Sequence, residues 1–230
     1  MTALPRALAA GLTQLHLSTP VSELRRLPAG WAAVTPRGTF TCHQLLLTGS
    51  APACAGLLEP HFPEIATALR GIYYPPLTVV HSAYRRSDVN HPLDGFGGLN
   101  PPVEGLFTSG SIWSSSVFAG RCPTDEVLFT TFTGGVGRET AAQLEPSLLK
   151  QRVHEELAQN YGIRASAPVF SSHYHWPQAI PQYNATQREA ATAAAGLTPA
   201  GIHFCTNWKD GVSLSDCLRK GREIAALQDQ

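Results

Sequence analysis

An α+β fold, mixed in its connections, follows from three features of the sequence. Three strand-like runs, "YYPPLTVVHSAYRR", "GLFTSGSIWSSSVFAG" and "DEVLFTTFTGG", follow one another in the middle of the chain, separated by turns rich in Gly, Pro and Asn. Helix-period stretches lie on both sides of them. Apolar residues make up 43% and charged residues 15% of 230, the composition of a folded protein with enough chain for a sizeable core.

Taken in order, Leu4, Leu8, Leu12 and Leu15 fall on one face of a helix from Thr2 to about Leu15, with Pro5 tolerated in its first turn. "GWAAVTPRGTFTCHQLLLTGS" predicts two short strands about a Pro36-Arg37-Gly38 turn, then a run from Leu45 to Leu47 buried on both faces. Pro52 to Ala68 reads as short helices broken by Pro60 and Pro63. The three central runs then form one antiparallel sheet. Leu149, Val153, Leu157 and Tyr161 share one face of a helix from Pro146 to Tyr161, stopped by Gly162. A strand near Pro168 to Tyr174, an alanine-rich helix near Thr186 to Ala195 and a strand "GIHFCTNW" lead to the last helix. In "CTNWKDGVSLSDCLRKG", Gly211 relaxes the backbone and Ser213 or Ser215 can cap the helix, while Leu214, Cys217, Leu218, Gly221, Ile224 and Ala225 form its apolar face. Such a start offers free N–H groups and a positive dipole end to an electron-rich ligand; the plainer reading is a capped helix packed on a sheet.

Several function classes are disfavoured. With 17 basic against 17 acidic side chains, no global field favours nucleic acid or an anionic membrane. Five cysteines, an odd number with no C-x-x-C pair, argue against a zinc knuckle or a disulfide framework and fit a reducing compartment. No apolar run reaches the ~18 residues of a spanning helix, so no transmembrane segment is expected. "MTALPRALAAGL" reads better as an amphipathic helix than as a signal peptide. His173 and His175 share a strand face, but no third ligand is near in sequence, so no metal site is expected. Ser114, Ser115 and Ser116 lack a G-x-S-x-G elbow, and "GFGG" and "GGVG" complete no phosphate-binding motif.

The ordered blocks "YYPPLTVVHSAYRR", "HPLDGFGGLNPPVE", "GSIWSSSVFAGRCP", "FTTFTGG", "HWPQAIPQY" and "CTNWKDGVSLSDCLRKG" together resemble the C-terminal half of the oxygen-dependent protoporphyrinogen oxidases, within the flavin-containing amine oxidase superfamily. The resemblance runs over nearly the whole chain. It implies an FAD flavoprotein of porphyrin and heme biosynthesis that removes hydride equivalents from a porphyrinogen and passes electrons to oxygen. It also implies that Gly211, Val212 and Ser213 aim backbone amides at the isoalloxazine, with Asn207 and Trp208 at the strand end beside it. By the same resemblance Leu99 and Trp113 would lie against the tetrapyrrole substrate, with Phe96, Gly97 and Ile112 beside them, and Trp176 and Tyr183 near flavin and substrate. No side chain stands out as a general base, so catalytic residues stay unassigned.

On this reading residues 1–58 and 196–230 are partial FAD-binding domain, flanking a substrate domain over 59–195 that carries the antiparallel sheet. The G-x-G-x-x-G turn of the family's first half is missing from these residues, and Thr206 stands where the family usually has glycine. The expectation is therefore a piece needing a partner polypeptide that bears the N-terminal half, in the cytoplasm or peripheral at the inner membrane. A coproporphyrinogen oxidase or another amine oxidase relative, and a non-catalytic piece binding porphyrin or a partner, are the alternatives.

Overall fold

The structure, a computed structural model, describes residues 2–228. In chain order its elements are α1 (Ala3–Ala9), β1 (Glu23–Leu27), β2 (Gly30–Thr35), β3 (Gly38–Cys42), β4 (Leu45–Leu47), α2 (Ala51–Leu58), α3 (Pro63–Arg70), β5 (Leu77–Arg85), β6 (Gly97–Leu99), β7 (Gly110–Trp113), α4 (Ser114–Val117), β8 (Glu126–Gly134), α5 (Glu139–Ala142), α6 (Pro146–Tyr161), β9 (Phe170–Trp176), α7 (Ala185–Ala195), β10 (Ile202–Phe204) and α8 (Leu214–Gln228). Two compact units emerge: residues up to Tyr73 together with those from Tyr183 onward, and Tyr74–Gln182. Both boundaries differ from the 58/59 and 195/196 divisions suggested by sequence, because α3 packs on α2 and α7 and so stays with the first unit.

In the first unit β1, β2 and β3 form an antiparallel meander. Trp31, 1% exposed, projects from β2 into the core, and its indole N–H donates to the Ala200 carbonyl at 2.8 Å. β4 and β10 pair in parallel, Leu45 opposite Ile202 and Leu47 opposite Phe204. Leu47 is buried but Leu46 is 46% exposed, so this run is covered on one face rather than two. The N-terminal helix is shorter than expected. α1 stops at Ala9 and buries none of its residues, and Leu4, Leu8, Leu12 and Leu15 are all exposed. A helix that short gains its stability from packing, and among the described residues none of this stripe is buried. The last strand ends at Phe204, which leaves Asn207 and Trp208 in a turn.

In the second unit five strands form one antiparallel sheet in the order β6-β7-β8-β5-β9. The three central runs of the sequence are β5, β7 and β8, as the alternation required. One face meets α6: Val80, Tyr84, Val127, Phe129 and Trp113 pack with Leu149, Val153 and Leu157 of that helix. Each such fully buried side chain stabilises the fold by about 1.5–3 kcal/mol. The helix starts at Glu145, whose carboxylate accepts from the Ser147 and Leu148 amides, and stops at Gly162 in the left-handed region, φ 60°. No helix of the described residues is long and apolar enough to cross a membrane.

Candidate functional site

The second face of the five-stranded sheet is largely apolar, and α4 meets it through Ser114, whose hydroxyl lies 2.7 Å from that of Thr130. Strand alternation and the ladder register fix its members. Leu77, Val79, His81 and Ala83 of β5 stand opposite Trp176, Tyr174, Ser172 and Phe170 of β9, and opposite Gly134, Phe132, Thr130 and Leu128 of β8. Gly110 and Ile112 of β7 continue the rows from Phe132 and Thr130, and Leu99 of β6 continues from Gly110. Four strand spacings from β6 to β9 make a surface about 19 Å wide. Tyr174 and Trp176, at 57% and 48% exposure, lie with ring centroids 4.6 Å apart at one side of it. Leu99 is 88% exposed at the other. A shallow cavity of about 290 Å³ at that side is lined by Phe96, Gly97, Leu99, Ile112 and Phe132. Such an array suits a large, flat, apolar ligand.

Four of the expected substrate contacts, Phe96, Gly97, Leu99 and Ile112, thus come together. Gly97 also has a structural reason to be glycine: at φ 148° an added Cβ would lie 2.1 Å from the Ser111 carbonyl oxygen. Trp176 shares the open face on its far strand. Trp113 does not join them. It is one residue past Ile112, so it points to the opposite side, where its ring meets Tyr161 edge-on at 5.8 Å within the α6 core. Tyr174 and Phe132, not singled out in the sequence, belong to the open face; the alternation of "YYPPLTVVHSAYRR" against "DEVLFTTFTGG" was the signal that could have found them. His173 and His175 share the helix-side face, and His175 Nδ1 lies 2.8 Å from Thr78 Oγ1.

In the first unit Tyr183, Asn207, Gly211, Val212 and Ser213 assemble around the loop between β10 and α8. The Tyr183 hydroxyl donates to the Asn207 carbonyl at 3.0 Å and accepts from the Gly211 amide at 2.9 Å, so this residue braces the loop. Burial raises its phenol above the ordinary value. Ser213 caps α8: its hydroxyl accepts from the Asp216 amide at 3.1 Å, while Asp216 accepts from the Ser213 amide at 3.1 Å. The Ser213 hydroxyl, donating to the carboxylate at 2.6 Å, and then the Ser213 amide hold the Asp216 carboxyl below its usual range. Trp208 is wholly buried, its indole N–H donating to the Gly49 carbonyl at 3.2 Å, and presents no ring surface to a ligand.

The buried side chain of α8 is not in its apolar stripe. Leu214 and Leu218 are exposed, whereas Lys220 is 5% exposed. Its ammonium donates to the carbonyls of Thr206, Lys209 (2.5 Å) and Gly211 (2.8 Å). This knot fixes the path of the loop from inside, and helical periodicity alone does not reveal it.

Fewer amides of this loop are open than the sequence suggested. Gly211 and Ser213 are engaged within the protein, and only the Val212 N–H, among the three, lacks a protein acceptor among the described residues. Val212 itself is 42% exposed at the N-terminus of α8, where one free donor and the helix dipole together fit an electron-rich carbonyl edge.

The family model for flavin containing amine oxidoreductase matches residues 1–227. The chain belongs to the flavin-containing amine oxidoreductases. Among curated relatives, the mitochondrial protoporphyrinogen oxidase of Nicotiana tabacum is 31% identical over 170 residues, covering 72% of this chain and 34% of that protein. Protoporphyrinogen oxidase 1, chloroplastic, of Arabidopsis thaliana is 29% identical over 239 residues, covering 96% of this chain and 44% of that protein. The chain therefore spans less than half the length of these relatives. A putative protoporphyrinogen oxidase from Exiguobacterium sp. 255-15 shares the fold with a TM-score of 0.81 at 20% identity, over 100% of this chain and 51% of the other. A putrescine oxidase bound to putrescine follows at 0.73 and 15% identity, over 97% and 51%.

Proposed function

We propose that this chain supplies the substrate wall and the flavin-facing loop of a protoporphyrinogen oxidase. The observation that carries the reading is the broad, largely apolar second sheet face, with Leu99, Phe170, Tyr174 and Trp176 exposed on it, in a chain whose curated relatives bear that name. Leu99, Ile112, Phe132 and Trp176 would lie against one face of a tetrapyrrole and exclude water from it. Val212 N–H and the α8 N-terminus would favour the pyrimidine edge of FAD, which when bound supplies a hydride acceptor. No side chain of the described surface is positioned as a general base, and none is assigned.

Activity on this reading needs a second polypeptide segment that brings a dinucleotide-binding motif. Two observations support it. Leu4, Leu8, Leu12, Leu15 and Leu17 form an exposed apolar run in the first unit. The β4–β10 ladder is a parallel pair of three residues each, and parallel strands are stable mainly inside larger covered sheets. The test is to mix the chain with FAD and a polypeptide carrying the dinucleotide-binding portion of a relative, then follow porphyrin fluorescence in air with protoporphyrinogen and, separately, coproporphyrinogen. Porphyrin formed from protoporphyrinogen only with all components supports the proposal. A preference for coproporphyrinogen reassigns the substrate, and a stable complex with neither activity contradicts the oxidase reading.

A further inference from the structure

At one end of the open sheet face, where β5 begins and β8 ends, lies a cavity of about 400 Å³. Leu77, Val136 and Ile180 contribute apolar walls, and among the described residues Arg138 is the sole charged one lining it. Leu77 and Gly134 belong both to this cavity and to the open face, so the two are continuous. The Arg138 side chain is half-buried. One guanidinium N–H group, at Nη1, donates to the Thr108 carbonyl at 3.0 Å, and the rest have no protein acceptor among the described residues. The neighbouring Glu139 carboxylate does not line the cavity, and it accepts from the Gly137 amide at 3.0 Å.

A guanidinium with open donors beside apolar walls recognises a planar anion by paired, charge-assisted hydrogen bonds. The walls lower the local dielectric and strengthen that attraction. We propose that Arg138 receives a carboxylate carried on the periphery of the apolar ring that lies on the open sheet face. The cavity then sets the in-plane orientation of a ring that the flat face alone would hold in several orientations. This inference rests on the tetrapyrrole reading above and adds its polar anchor.

The test compares mesoporphyrin with its dimethyl ester, both presented in the same detergent, on the full chain and on Arg138→Met, Arg138→Gln and Arg138→Lys. The wild type should bind the free acid roughly tenfold more tightly than the ester, the size of one well-formed charged contact. Arg138→Met should bring that ratio close to one by weakening only the acid. Arg138→Gln, which can still donate to the Thr108 carbonyl, should behave like Arg138→Met, and Arg138→Lys should restore part of the preference. Unchanged ester affinity across the variants reports an intact fold. A preference for the acid that persists in Arg138→Met and Arg138→Gln overturns the assignment while leaving the ring platform standing. Absence of saturable binding of either form overturns both.

Discussion

Lys220 sets the conformation of the loop that ends at α8. A buried ammonium with three backbone carbonyls around it is satisfied only while all three stay in place. Lys220→Met removes the donor and leaves the carbonyls of Thr206, Lys209 and Gly211 without it, so stability in denaturant should fall by roughly 1–3 kcal/mol. An unchanged midpoint would mean that the loop holds itself. His81 provides a second test at this scale. It lies on the open face beside Thr130, with Nδ1 3.0 Å from the Thr130 hydroxyl, and opposite Ser172; burial lowers its pKa below the ordinary 6.5. The unfolded chain therefore binds this proton more readily, and stability present above about pH 6.5 is lost as pH falls from there toward the depressed folded value. Denaturation midpoints should drop between pH 7.5 and 5.5, and less steeply in His81→Gln; identical slopes would exclude His81 as a contributor. Individual residues were the least legible part of the sequence. A lysine in an amphipathic helix reads as solvent-facing, and only the packed loop reveals where Lys220 points. Trp113 is the opposite case, since strand alternation separates it from Ile112 without any structure.

At the scale of elements, α6 does more than fill the core. Its Glu156, 9% exposed, accepts from the amides of Phe107 (2.5 Å) and Thr108 (3.1 Å) and from the Thr108 hydroxyl, so the helix ties down the segment between β6 and β7. Asn100 and Arg138 also bond to Thr108, which links this anchor to the cavity end of the open face. Glu156→Gln keeps the size but replaces one acceptor oxygen by an amide donor. It should cost about 1–3 kcal/mol in denaturant and increase hydrogen exchange at Phe107 and Thr108, while amides in the middle of β5 and β8 stay protected. Loss of protection throughout the sheet would show that α6 carries the whole unit. The long elements were legible because periodicity and punctuation agree: Leu149, Val153 and Leu157 at helical spacing, Gly162 as the stop, and alternation in β5 and β8. α1 was overextended because its leucine stripe satisfies the pattern without having a surface to pack against, and a pattern does not report its partner.

At the scale of the whole molecule, the chain has two compact units, and each displays exposed apolar side chains. On the reading proposed above, the exposed leucines of the N-terminal segment and the short parallel ladder of the first would dock further polypeptide. In the second the open sheet face and its Arg138 cavity fit a flat ring bearing a carboxylate. The order of the motifs in the sequence carried the family, because several blocks in register are specific where each alone is a turn or a strand. The faces on which their residues lie came from the ladder register, which the sequence constrains only pair by pair. The central claim is that the open face is the tetrapyrrole wall. Ile112 sits in that face, half-buried and not bonded to the α6 core, so Ile112→Glu places a charge against the ring while leaving the helix-side packing intact. The most direct measurement is a mesoporphyrin titration of the wild type and Ile112→Glu, read by quenching of tryptophan emission. Saturable quenching in the wild type with affinity lowered about tenfold or more in Ile112→Glu is the predicted result. Equal affinity in the two proteins would contradict it and place the ring elsewhere.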